Sequence, residues 1–194
     1  MKILVISDIH ENFDNLVKIF QEIKDKNIQQ IICLWDMINN GIAKVITSHN
    51  ISVHLVWWNN DWEIVNITKT FLGTWNTVSD TVFDSVEFWW RKIFLTHYSS
   101  IAKSMAKSWD FDAVFYGHNH IIHEEIIDEC YVLNPWEVWA HKTWISSYAV
   151  YDTDTNSAEI FQLEDAKNIK SSETSEYIKK HVKFKFSKSK SHQF

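Results

Sequence analysis

The chain has 194 residues, 45% of them hydrophobic and 23% charged, with a formal net charge of −6. That length bounds it to one domain, or one domain with a tail, large enough to bury a full core. No run of about 18 apolar residues occurs, which argues against a transmembrane helix, and the acidic balance argues against broad nucleic-acid binding by the main body.

From the start, "KILVIS" (2–7) is a nearly continuous apolar, β-branched run, the pattern of a strand buried on both faces. It leads directly into "DIH", with no cleavage-site pattern of a signal peptide, so a cytoplasmic location is expected. Phe13, Leu16, Val17, Phe20 and Ile23 follow at spacings of three and four, which predicts an amphipathic helix. "QIICL" (30–34) and "ISVHLVW" (51–57) read as further buried strands, with "GIAKVITSHN" as a short helix between them. Strands alternating with helices imply right-handed βαβ units and a parallel sheet.

The second half reads as a β-hairpin, "TVSDTVFDSVEF" (77–88) with "RKIFLTH" (91–97), and then a helix over 99–108 with a serine N-cap. "DAVFYGHNH" is a strand ending in histidines, and "HEEIIDECYVLN", "ISSYAVYDT" and "AEIFQLE" add shorter strands. Two mixed sheets packed together with helices outside are therefore expected. Cys33 and Cys130 lie far apart in apolar runs and read as reduced core residues. Residues 177–194 carry six lysines and no acid, so residues 1–176 sum to −12. From about Asp165 the composition turns polar and Lys/Ser-rich. This predicts a domain over 1–164 and a basic, flexible tail over 165–194, with "VKFKFSK" as a candidate edge-strand fragment.

Five polar clusters follow strand-like runs: Asp8 and His10, Asp36, Asn59 with Asn60 and Asp61, His97, and His118 with His120. In α/β sheets, sites form beyond the carboxyl ends of strands. Residues i and i+2 of an extended segment point the same way, so Asp-x-His and His-x-His each present both side chains to one place. Imidazole, carboxylate and amide oxygen together suit Mn²⁺, Fe²⁺, Ni²⁺ or Zn²⁺. Taken singly, His97 reads as a strand-end histidine, Asp36 as a helix cap, and Asn59 and Asn60 as turn formers. Five such clusters in succession point to a metal site. His54, His123, His141, His181 and His192 have no matching context.

The order of these clusters resembles the calcineurin-like metallophosphoesterase superfamily, with "SDIH" and "GHNH" intact. "NNDWE", the short length and "MKILVISD" are most similar to its small prokaryotic YfcE-type phosphodiesterases. The resemblance spans roughly residues 1–163. It implies a four-layer α/β/β/α sandwich of two mixed β-sheets flanked by helices, with two divalent metal ions, Mn²⁺ foremost. By that resemblance Asp8, His10 and His120 would hold one ion, Asn59, His97 and His118 the other, and Asp36 would bridge them. Hydroxide activated by the metals would attack a phosphate ester, the expected substrate, with Asp36 and Asn59 positioning it. Asp61 would orient the Asn59 loop. Asn60 stands where many members have a histidine that protonates the leaving group, and asparagine makes only a substrate contact. Glu11 stands where many members have glycine, and reads as a solvated loop residue. The resemblance also admits a non-catalytic interaction scaffold, as in the retromer subunit of this fold. That reading predicts degraded ligand positions, whereas all seven are present. A homo-oligomer is compatible with the sequence.

One composition is abnormal. Three glycines stand against an ordinary frequency near 7%, or about 14 in this length, while eleven tryptophans are present. Glycines and tryptophans together make 14. Trp35, Trp58, Trp62, Trp136 and Trp144 stand where related sequences show glycine. Trp89 or Trp90 occupies a hairpin turn, and Trp109 the end of a helix. A left-handed backbone position filled by a side-chain residue costs about 1–2 kcal/mol. The expectation is that UGA codons, glycine in the native host, have been translated as tryptophan, with Trp57 the most acceptable genuine one.

Overall fold

The computed structural model describes residues 1–57 and 62–168. Its first sheet is built by β1 (Lys2–Ser7), β2 (Gln30–Leu34), β3 (Ser52–Val56) and the two-residue β4 (Thr77–Val78). These four run parallel, with the helices α1 (Phe13–Glu22), α2 (Asn40–Thr47) and α3 (Ile64–Leu72) in the crossovers. The second sheet holds β5 (Phe83–Phe88), β6 (Arg91–Thr96), β7 (Ala113–Phe115), β8 (His123–Ile127) and β9 (Cys130–Asn134), with α4 (Ser99–Ala106) between β6 and β7. The chain then returns to the first sheet as β10 (Ser147–Asp152) and β11 (Ser157–Gln162). The strand orders are β11-β10-β1-β2-β3-β4 and β5-β6-β7-β9-β8.

Period-two alternation explains why the parallel strands are apolar throughout. Leu4 and Ile6 of β1, Ile31 and Cys33 of β2, and Val53 and Leu55 of β3 pack with Leu16, Ile19, Phe20, Ile42, Ile46 and Phe71 of the helices. Their alternates Ile3, Val5, Ile32, Leu34 and Val56 meet Ile93, Leu95, Phe115, Tyr131 and Leu133 of the second sheet. A third core sets Phe94, Val114, Tyr116 and Val132 against Ala102 and Ala106 of α4. Three cores between four layers are the expected α/β/β/α sandwich. Each fully buried Ile, Leu or Val contributes about 1.5–3 kcal/mol, so the sheets are fixed independently of any ligand. Both cysteines are buried, and neither is in a disulfide among the described residues. Among the described residues, no helix is long and apolar enough to cross a membrane.

Local chemistry sets the helix starts. The Asn12 side chain accepts from Asn15 N at 3.1 Å, and Asn39 accepts from Gly41 N and Ile42 N at 2.8 and 3.2 Å. Such caps satisfy amides that the first helical turn leaves without carbonyl partners.

Two sequence expectations require correction. Residues 77–88 are not one strand: Thr77 and Val78 pair with His54 and Leu55 of the first sheet, and only Phe83–Phe88 forms the hairpin with β6. The alternation is interrupted by a local turn in which Ser79 N donates to Leu55 O at 2.8 Å and Ser79 Oγ to Thr81 O at 2.9 Å. The cap of α4 is Tyr98, whose side chain makes no capping hydrogen bond, and Ser99 is already helical.

Beyond β11 the chain runs back over α1. Lys167 N donates to Asn15 Oδ1 at 2.8 Å, and Lys167 O accepts from Asn12 Nδ2 at 2.6 Å. The "VKFKFSK" segment and the remainder of the tail from 169 lie outside the described residues.

The turns carry an unusual backbone. Trp35, Trp89, Trp109, Trp136 and Trp144 have φ of 43°, 59°, 67°, 78° and 64°. Trp89 is the first residue after β5, as the hairpin reading expects. Trp57 has an ordinary φ and packs against the helix-side core. Trp58 lies outside the described residues.

Candidate metal centre

Strands β1, β2, β6 and β7 end at Ser7, Leu34, Thr96 and Phe115, and the polar clusters begin one to three residues later. The chain leaves each strand abruptly. Asp8, His10, Asp36, His118 and His120 all have positive φ, between 42° and 74°. Asp and His tolerate this region better than most residues, and such strain persists only where the surroundings hold it. Here they do. His10 N donates to Asp36 O at 2.8 Å, and Trp139 N donates to Asp8 O at 3.0 Å.

The side chains converge on two overlapping groups, Asp8–His10–His120 and Asp8–Asp36–His97, with candidate ligand atoms within 4.8 Å of one another in each. Asp8 is common to both. His10 Nε2 lies 3.3 Å from Asp36 Oδ2 and 3.9 Å from Asp8 Oδ1, and His120 Nε2 lies 3.5 Å from Asp8 Oδ1. His118 reaches the second group through His97, their ring centroids 4.4 Å apart. Asn59, Asn60 and Asp61 fall outside the described residues.

Electrostatics suit cation binding. Burial pushes the His10 imidazole down to about 4, assisted by His120 nearby, so it is neutral near pH 7 and offers a lone pair. Burial, with His118 nearby, also lowers His97. Asp8 is fully buried and raised, chiefly by desolvation, although His120, the Ser7 hydroxyl 2.6 Å away and His118 N oppose this. Asp8 Oδ1 and His10 Nε2 are buried and make no hydrogen bond among the described residues. A buried carboxylate oxygen without a hydrogen-bond donor costs several kcal/mol unless a cation compensates it. The donor set therefore fits divalent metal.

Close approach explains one of the three glycines. A Cβ on Gly117 would lie 2.2 Å from Ser7 Oγ and 2.8 Å from Asp8 Oδ2, so only glycine lets the β7 exit cross β1.

Sequence reasoning missed Glu137 and Trp139. Glu137 is fully buried with Oε2 2.5 Å from His120 Nδ1. Burial would raise its carboxyl, but the hydrogen bonds from His120 and Thr143 outweigh this and lower it. The Trp139 ring lies 4.2 Å from that of His10. An acid inside the otherwise apolar "PWEVWA" was the available signal. Glu11, expected as a solvated loop residue, is half-buried and accepts a hydrogen bond from Asn39 Nδ2, which ties the β1 loop to the α2 cap. Among the discounted histidines, His54 pairs with Thr77 and Asp84, and His123 with Glu125.

Comparison with known proteins gives a consistent placement. Residues 1–156 match the calcineurin-like phosphoesterase superfamily domain. A phosphodiesterase of Methanocaldococcus jannaschii is 30% identical over 158 residues, which cover 79% of this chain and 94% of that one. The structure of an archaeal phosphodiesterase superposes with a TM-score of 0.76 at 28% identity, covering 84% of this chain and all of the other. Zinc-complexed Vps29 of Entamoeba histolytica shares the fold at a TM-score of 0.58 and 15% identity, over 84% of this chain and 98% of that one. With four strand-end clusters in order among the described residues of a four-layer sandwich, this chain belongs to the calcineurin-like phosphoesterase superfamily and is, as such, a phosphoesterase.

Proposed function

We propose that the chain is a metal-dependent phosphodiesterase working with two divalent cations, Mn²⁺ foremost and Ni²⁺, Fe²⁺ or Zn²⁺ as substitutes. The observation that carries this is the convergence of two overlapping ligand groups, in which Asp36 stands with His97 and also lies 3.3 Å from His10 Nε2 of the other group. Asp8, His10 and His120 would hold one ion, and His97 and His118, with Asn59, the other, with Asp36 between them. The ions would supply a water acidic enough to attack phosphorus near neutral pH, and positive charge for the phosphoryl oxygens.

The chain's own residues set the rest. Asp8 and Asp36 bring negative charge to a buried place, while the imidazoles and the Asn59 amide add none, so the ligand set leaves room for an anionic ester. Asp36 and Asn59 would position the attacking hydroxide, Asp61 would orient the Asn59 loop, and Asn60 would contact the substrate. Asn60 is no general acid, so the leaving group would take its proton from water or another group. Diesters with good leaving groups are therefore the favoured class. The phosphodiesterase name of the M. jannaschii relative supports this reading.

The test is hydrolysis of bis(4-nitrophenyl) phosphate with Mn²⁺, using the chain with Trp35→Gly, Trp89→Gly, Trp109→Gly, Trp136→Gly and Trp144→Gly. Hydrolysis should depend on Mn²⁺, stop with a chelator and be lost in Asp36→Asn. Absent hydrolysis, with no difference on Asp36→Asn, would favour an interaction scaffold instead.

A further inference from the structure

We propose that Glu137 is a positioning residue of the metal centre, holding His120 in the tautomer that aims an unprotonated Nε2 at Asp8 and His10. This rests on the reading of that cluster as a metal site. Glu137 is fully buried, and both carboxylate oxygens are committed. Oε1 accepts from Thr143 N at 3.1 Å and from Thr143 Oγ1 at 2.7 Å. Oε2 takes His120 Nδ1–H at 2.5 Å. The backbone is held as well, since Glu137 O accepts from Ser147 N at 2.9 Å, at the first residue of β10.

A neutral imidazole carries one N–H, so donation from Nδ1 leaves Nε2 as the acceptor, 3.5 Å from Asp8 Oδ1. A carboxylate on the far nitrogen also strengthens the donor power of the near one. A buried carboxylate facing a ring nitrogen is costly to build for packing alone, because an apolar pair of the same shape serves equally well. Thr143 has a part in this: it fixes the carboxylate plane that fixes the ring.

Two measurements separate the Glu137 role from the metal reading. In the metal-free chain at mildly alkaline pH, long-range ¹⁵N NMR should show His120 as the Nδ1–H tautomer, and Glu137→Gln should shift that equilibrium. An Nε2–H tautomer in the parent overturns the proposal whether or not metal binds. Mn²⁺ affinity by isothermal titration should fall about 10- to 100-fold in Glu137→Gln, less in Thr143→Val, and recover partly in Glu137→Asp. Unchanged affinity in Glu137→Gln, with the fold intact by circular dichroism, overturns it too. A parent that binds no Mn²⁺ yet shows the Nδ1–H tautomer would remove the metal reading, and with it the role of Glu137 at a metal.

An independent observation carries a second inference: Trp35, Trp89, Trp109, Trp136 and Trp144 occupy glycine positions of the native protein, encoded by UGA. All five have φ between 43° and 78°, a region bulky residues rarely enter, while none of the described glycines does. Burial does not compensate at three of them, since Trp89, Trp109 and Trp144 are 60%, 72% and 72% exposed. Trp136 Nε1 is buried with no hydrogen-bond partner among the described residues. Reading the five codons in the gene decides it, together with peptide masses of the protein from its own host. UGA codons and glycine masses are expected, and UGG codons or tryptophan masses overturn the inference.

Discussion

Left-handed backbone recurs at the strand-end rim and at the outer turns, and these two regions differ in what surrounds it. At the strand-end rim, Asp8, His10, Asp36, His118 and His120 are turned out of their strands by positive φ, and at least two of these turns are pinned by backbone hydrogen bonds. The side chains of Asp8, His10, Asp36 and His120 meet in two groups that share Asp8, and the His118 ring lies against that of His97. At the outer turns, Trp89, Trp109 and Trp144 have the same backbone but point largely into solvent. Strain that converges on shared ligand atoms marks a site. Asn27, Asp128 and Asn156 share this backbone at other turns and tolerate it, whereas an exposed tryptophan there is foreign to its position.

That contrast can be broken experimentally at several points. The largest effect is expected at the rim: Asp36→Asn should lower Mn²⁺-dependent diester hydrolysis by about 10³-fold, the order of removing a group that shapes transition-state charge, while the urea midpoint stays near that of the parent. At the outer turns, Trp89→Gly, Trp109→Gly and Trp144→Gly should each stabilise the fold by about 1–2 kcal/mol in urea titrations. The gains should add wherever the turns share no partner. Loss of stability in the triple variant would mean that these side chains hold something.

Gly117→Ala probes the rim from the other side. Its Cβ would stand 2.8 Å from Asp8 Oδ2, so a loss of about 1–3 kcal/mol with weakened Mn²⁺ binding is expected. Unchanged binding would show that Asp8 can move without consequence. The smallest effect concerns pH. His10 has its folded pKa lowered to about 4, so between that value and 6.5 the unfolded chain binds more protons. The metal-free protein should therefore lose stability as pH falls through that window, with His97, His49 and His54 contributing in the same direction. Asp8, raised by burial, opposes this, because the folded state binds the extra proton above 3.8. Chemical denaturation of the metal-free chain across that range checks the sign.

The rim was legible in the sequence because its signals are local. Asp8 with His10 and His118 with His120 are two residues apart, and each pair follows an apolar run that is itself a strand. The alternation of Ile3 and Val5 against Leu4 and Ile6 likewise foretold a sheet covered on both faces. Glu137 showed only as an acid in an apolar run, and its role was hidden because its partner His120 is 17 residues away and belongs to another strand exit. The 77–88 segment misled for a related reason: alternation reports exposure along a strand but not which sheet it joins, and Ser79 turns the chain from one to the other. The tryptophans were legible as misplaced before any backbone angle was known, because Trp35 and Trp136 sit in motifs whose turns require glycine.

The most direct test of the metal-centre account is the number of Mn²⁺ ions per chain, measured by electron paramagnetic resonance during titration of the metal-free, glycine-substituted protein. The account predicts two ions per chain with a spin-coupled signal, reduced when Asp8 or Asp36 is changed to Asn. A single uncoupled ion, or none, would contradict it.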